Sequence, residues 1–123
     1  MVSWQEIVRE LDLAPLPDEG GYFRRTHADA HASAIYYLLA VPDFSAMHVL
    51  TAAETYHHYA GAPLVMLLLH PDGRVERPVL GPDLAAGQRP QIVVPAGTWQ
   101  GSSPAGEWAL VGATTAVKVT AWP

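Results

Sequence analysis

Apolar positions in this chain fall into short runs separated by proline, glycine and aspartate, a spacing that suits strands better than helices. One stretch is different. Ser3-Trp4-Gln5-Glu6 has the spacing of a capping box, and Ile7, Val8 and Leu11 follow at helical intervals, so residues 4–12 are predicted as one short amphipathic helix. Pro15 and Pro17 end it, because proline lacks the N–H and restricts the residue before it. Strands are then predicted over 22–26, 33–41, 46–50, 54–60, 63–70, 74–80, 91–94, 108–114 and 117–122. Residues 33–41 and 63–70 are apolar on both alternating faces, so each needs cover on two sides. Residues 74–80 alternate with charge and should keep one face wet. Residues 81–90 read as the main loop of the second half, Pro95-Ala96-Gly97 as a tight turn into 98–100, and 101–106 as loop. About nine short strands with turns between them predict an all-β fold, a jelly-roll barrel with a single N-terminal helix.

Composition narrows the picture. At 123 residues the chain is sized for one domain, 1–123. With no cysteine, disulfides and thiolate metal sites are excluded. The net charge is −5 and the one adjacent basic pair is Arg24-Arg25, so no nucleic-acid partner is expected. Apolar runs such as Leu64 to Leu69 are strand-sized, so no membrane partner is expected either. No basic region followed by an apolar stretch opens the chain, and a cytoplasmic location is the expectation.

Candidate chemistry concentrates in Met47 to Gly61, which holds three of the six histidines, one glutamate and two tyrosines. Three segments carry a family likeness: Pro17-x-Glu19-Gly20-Gly21-Tyr22-Phe23-Arg24, Ser33 to Leu39, and Glu54-x-x-His57-x-Tyr59-x-Gly61-x-Pro63-Leu64. Leu80 to Gln91 and Val93 to Gln100 extend it. Over roughly residues 7 to 115 the chain resembles a bacterial and fungal family of small cupins (Cupin_5-like, within the RmlC-like cupin superfamily). The resemblance implies a double-stranded β-helix, a homodimer, and kinship in shape with sugar-nucleotide epimerases; it implies no particular reaction. Met47-His48-Val49 and Ala52-Ala53-Glu54 are less polar than the family's usual segments, and the family's closing segment is replaced by residues 116–123.

Metal-binding cupins carry His-x-His, then Glu, then Gly in a first motif and Pro-x-Gly-x-x-His in a second. Here His48, Glu54 and Gly61 match the first, but Leu50 takes the second histidine's place and Gln100 replaces the last one. One imidazole, one carboxylate and an amide make a weak donor set for a divalent transition metal. A metal set would need His48, Glu54, Gln100 and His57, or His58 in its place. Strand alternation puts Tyr56 and His58 on the same face as Glu54, whereas the resemblance selects His57. Both remain open.

Three functions follow as expectations. In the first, a small-molecule pocket performs metal-independent isomerase or epimerase chemistry on a carbohydrate-like or carbonyl substrate. His48, Glu54 and Tyr56 would be catalytic, and Arg24, Tyr37, His57, His58, Trp99 and Gln100 would bind substrate. The second is a metal-dependent oxygenase, lyase or decarboxylase, the third a non-catalytic binding or scaffold dimer. Buried Glu54 must meet a partner, for which His48 and Arg24 are the candidates. Trp99 is expected as a pocket wall, Trp4 and Trp122 as covers of the barrel ends, and His27, His31 and His70 as solvated. The outer faces of 33–41 and 63–70 call for a second copy or the helix as cover.

Overall fold

A computed structural model describes residues 2–116; the expected strand 117–122 and Trp122 lie outside these. Helix α1 (Trp4–Glu10) opens with the capping box: Glu6 N–H donates to the Ser3 hydroxyl and the Glu6 carboxylate reaches back to Ser3. The strands are β1 (Ala14–Pro15), β2 (Tyr22–Ala28), β3 (Ser33–Ala40), β4 (Ser45–His48), β5 (Glu54–Gly61), β6 (Leu64–Leu69), β7 (Val75–Glu76), β8 (Val79–Leu80), β9 (Gln91–Val94), β10 (Trp99–Pro104) and β11 (Trp108–Thr115). They form two antiparallel sheets. One runs β1-β2-β3-β11-β5-β9; the other runs β4-β10-β6-β7, with β8 also on β6. Face to face they make the jelly-roll, double-stranded β-helix barrel.

Three expectations change. Residues 101–104 are strand, because β10 continues through Gly101-Ser102-Ser103-Pro104 paired with β6. Residues 74–80 split into β7 and β8 around Arg77 and Pro78, since proline cannot supply a ladder N–H. The loop 81–90 holds a short 3-10 turn at Leu84–Ala86, capped by Asp83.

Two apolar clusters explain the two-sided strands. Ile35, Tyr37 and Leu39 of β3 meet Tyr56, Leu64, Met66, Leu68, Leu80 and Val111 between the sheets. Leu38 and Ala40 point the other way and, with Leu110 and Leu13, pack beneath Trp4, Ile7, Val8 and Leu11. The helix therefore covers the outer face of the first sheet, where each buried leucine contributes roughly 1.5–3 kcal/mol. Trp4 belongs to this layer and stacks near Tyr22, 5.9 Å between ring centres; it does not close a barrel end. The second sheet lacks such a cover among the described residues. Val65, Leu69, Val75, Met47 and Trp99 are exposed.

Candidate functional site

The interior changes character along the strands. In β3, β11 and β5 the inward positions run from Leu39 and Ala109 through Tyr37, Val111, Ile35, Ala113 and Tyr56 to one row made of Ser33, Thr115 and Glu54, register partners across three strands. On the facing sheet Leu64, Met66 and Leu68 lead to His70, and β10 places Gln100 opposite His48. One end is hydrocarbon; the other carries Ser33, Glu54, Thr98, Gln100 and Thr115, all buried, with His48 beside them.

Glu54 is 1% exposed and accepts a hydrogen bond from Gln100 Nε2 at 2.8 Å. The other end of that amide, Oε1, accepts from the Tyr56 hydroxyl at 2.6 Å. Tyr56, Gln100 and Glu54 thus form one relay bridging the sheets, and the tyrosine donor fixes which way the amide lies. Burial raises the Glu54 carboxyl to about 7, against the opposing pull of Gln100, His48 and Tyr56. Burial also lifts the Tyr56 phenol well above its ordinary value, and neighbouring Glu54 adds to the shift.

A second carboxylate joins from a turn. Glu19 Oε2 lies 3.9 Å from His48 Nε2, and these side chains keep 15% and 17% exposure. His48 Nδ1 donates to the Ala46 carbonyl at 2.8 Å, which leaves Nε2 as the ring nitrogen facing Glu19. Burial raises the Glu19 carboxyl and His48 draws it back down. The turn is clamped in place. Gly21 N–H donates to Asp43 at 2.7 Å, Ala46 N–H to the Glu19 carbonyl at 2.7 Å, and the Tyr37 hydroxyl to the Gly20 carbonyl at 2.6 Å. Gly20 has φ +98°, and a Cβ there would run into the Phe44 carbonyl, so only glycine lets the turn come this close. Glu19 is not among the site residues expected from the sequence; its signal is its place beside Gly20-Gly21 within the motif that carries the family likeness.

The structure brings His48, Glu54, Tyr56, Gln100 and Tyr37 to this end and places the other expected site residues elsewhere. Arg24 pairs with Asp12 at 2.8 Å, in contact with solvent, because its strand position faces the side away from the barrel core, opposite Tyr36. Trp99 is 49% exposed on the outer face of β10, since alternation sends Gln100 in and Trp99 out. His57 also lies outside, stacked on Tyr59 with ring centres 6.4 Å apart and bonded to Thr114 at 3.2 Å. His58 shares the face of Glu54, but its Nε2 is held by the Ala62 carbonyl at 2.9 Å. The bulge in β5 falls after His58, at Tyr59, so parity from Glu54 to His58 is undisturbed. His70 is not solvated: it is 9% exposed and bonded to Glu76.

A metal set of His48, Glu54, His57 and Gln100 does not assemble. His57 is on the opposite face of its sheet, Leu50 offers no donor, and both ends of the Gln100 amide are engaged. Among the described residues no three His, Asp or Glu side chains are grouped to hold a metal ion. The donor set does not fit a transition metal.

A jelly-roll barrel with an acid, an amide and an imidazole at one interior end is the architecture of a cupin. The chain belongs to the Cupin superfamily (DUF985), whose family model matches residues 5–117. Its structure is similar to an X-ray structure of a Shewanella oneidensis protein, 32% identical, covering 98% of this chain and 81% of that one with a TM-score of 0.90. It is also similar to a hypothetical protein from Leishmania major (24% identity, 94% and 81% coverage, TM-score 0.88). Oxalate decarboxylase of Bacillus subtilis, which has Mn(II) centres, shares the fold at 13% identity and a TM-score of 0.71; the match covers 90% of this chain and 29% of that enzyme. No curated protein matches the sequence.

Proposed function

We propose that the polar end of the barrel binds a small molecule and moves a proton on it, as an isomerase or epimerase of carbohydrate-like or carbonyl compounds would. The observation that carries this is the pairing of two proton carriers of different kinds at one place. Burial holds the Glu54 carboxyl at about 7, and His48 turns its Nε2 toward Glu19, 3.9 Å away. General acid–base catalysis is most effective when carrier pKa values lie near the working pH. His48 takes the proton alpha to a carbonyl, and Glu54, served by the Tyr56–Gln100 relay, returns one. Glu19 positions and charge-balances the imidazolium that forms.

The test is proton exchange. The protein is incubated in D2O with a panel of aldoses, ketoses and hydroxyketones, and deuterium entering the carbon next to the carbonyl is followed by NMR. Exchange that is lost in His48→Ala and Glu54→Gln is the expected result. Equal exchange in His48→Ala, or none with any compound, overturns the reading.

We further infer that a second copy covers the outer face of the second sheet. Its outward positions are Met47, Trp99, Gly101, Ser103, Val65, Leu67, Leu69 and Val75. None is a carboxylate, so two chains of net charge −5 meet where their repulsion is least. Phe44, Met47, Val65 and Leu67 line a groove of about 330 Å³ there. Light scattering should give a dimer at micromolar concentration, and a monomer for Val65→Asp with Leu69→Asp. A monomeric parent protein rejects it.

A further inference from the structure

We propose that Ser33 and Thr115 form a hydroxyl-binding subsite at this polar end of the barrel and that its ligand is a neutral polyhydroxy compound. The proposal rests on the placement of the reactive groups just given and adds the chemical class of what they act on.

Ser33 Oγ and Thr115 Oγ1 are buried and without hydrogen-bond partners among the described residues, in residues 5% and 4% exposed. They are not strays on a distant face. Ser33 and Thr115 are register partners between β3 and β11, and Thr115 is in turn the partner of Glu54 on β5. Their inward neighbours along the strands, Ile35 and Ala113, belong to the core between the sheets. The three side chains therefore make a polar row across the barrel wall, ending at the residue that titrates. A buried hydroxyl without a partner costs about 1–3 kcal/mol, and two of them side by side next to a carboxyl describe a surface built for something that donates and accepts in turn. Vicinal hydroxyls, each both a donor and an acceptor, have that pattern.

Charge argues for a neutral ligand. The groups acting on Glu54 are Gln100, His48, Tyr56 and Glu19, and those acting on Tyr37 are Ser45, Glu19, Asp43 and Glu54. These are carboxyls, one imidazole and neutral donors. Arg24, the cation expected to hold an anionic oxygen, is occupied by Asp12 outside. A carboxylate or phosphate on the ligand would enter beside two glutamates, and its desolvation would go uncompensated.

The experiment compares Ser33→Ala and Thr115→Val with the parent protein. Calorimetric titrations use neutral sugars and alditols as probes, each beside its sugar acid and sugar phosphate, and thermal melts are run without ligand. The expected result has two parts. Each variant binds the neutral probe about tenfold more weakly, the loss of one hydrogen bond to a buried group, while its ligand-free melting point is unchanged or higher. A hydroxyl with a merely structural role would lower the melting point on removal, and that outcome overturns the proposal. So does unchanged affinity, tighter binding of the anionic probes, or no saturable binding of any neutral probe. Binding is read apart from turnover: weakened binding in the variants without proton exchange in the parent keeps the subsite and rejects the isomerase, whereas exchange with unaltered binding does the reverse.

Discussion

The two ends of the barrel interior are built from the same strands and differ in almost everything else. At one end Leu39, Leu64, Leu80 and Ala109 fill the space with hydrocarbon. At the other, inward positions farther along those strands and their neighbours are Ser33, Glu54, Gln100 and Thr115. Nothing in the backbone ladder requires this division, since the hydrogen bonds of the sheets are alike at both ends. The difference lies in what each end contributes: the apolar end supplies the free energy of folding, and the polar end draws on it to hold a carboxyl out of water.

The largest effect should come from damaging the apolar end. Leu64 is fully buried, and Leu64→Ala removes its transfer energy and leaves a cavity, so about 2–5 kcal/mol of stability should be lost in urea unfolding. The proton-exchange activity of the fraction still folded should persist. Loss of activity in a fully folded sample would show that the two ends are coupled.

Glu54→Gln tests the other end. Burial raises the native Glu54 carboxyl from 4.5 to about 7, so between these values the folded state binds the proton that the unfolded state has released. Stability then falls as pH rises through that window and levels off above it. The amide variant carries no charge to bury. It should lose this slope and, at pH 8, exceed the parent protein by about 3 kcal/mol, while activity disappears. Parallel stability curves from pH 4 to 8 would show that Glu54 is not held near 7.

Tyr56→Phe sharpens the same point. It leaves Gln100 Oε1 buried without its donor, at about 1–3 kcal/mol. It also removes one of the bonds that lower the Glu54 carboxyl, so the midpoint of that titration should move upward in carbon-detected NMR. A downward shift would contradict the relay.

The apolar end was legible in the sequence, and the polar end only in part. Ser33 to Leu39 and Leu64 to Leu69 announce themselves by unbroken apolar runs, and the helix by its capping box. Strand β10 is not among the predicted strands, because Gly101, Ser102, Ser103 and Pro104 have little strand propensity. Gly101 instead gives room to Met47, whose sulfur would lie 2.6 Å from a Cβ at that position. Glu54 stands out in the local cluster Met47 to Gly61, whereas Gln100 is marked only by the cupin pattern, because their contact joins residues 46 apart in sequence. Glu19 sits in a turn whose chemistry depends on docking against Asp43 and Ala46, and no periodicity records that. His57 and His58 show the reverse. Alternation gave the correct faces, but which atom a ring bonds, the Ala62 carbonyl for His58, is decided by a turn several residues on.

The smallest expected effect discriminates most finely. Arg24 stands on β2, in register with Tyr36 and paired with Asp12, an exposed bridge of the kind worth at most about 1 kcal/mol. Arg24→Gln should therefore shift stability by less than roughly 0.5 kcal/mol and leave proton exchange at the parent rate. The contrast between the two ends depends on this result. If the polar end works without a cation from β2, the positive charge it uses is the imidazolium of His48, balanced by Glu19, and an anionic intermediate is neutralised by proton transfer instead of by a fixed guanidinium. A large fall in kcat for Arg24→Gln with unchanged stability would mean that the guanidinium swings from Asp12 to the substrate. The ligand would then be an anion, and the polar end a cation-assisted site.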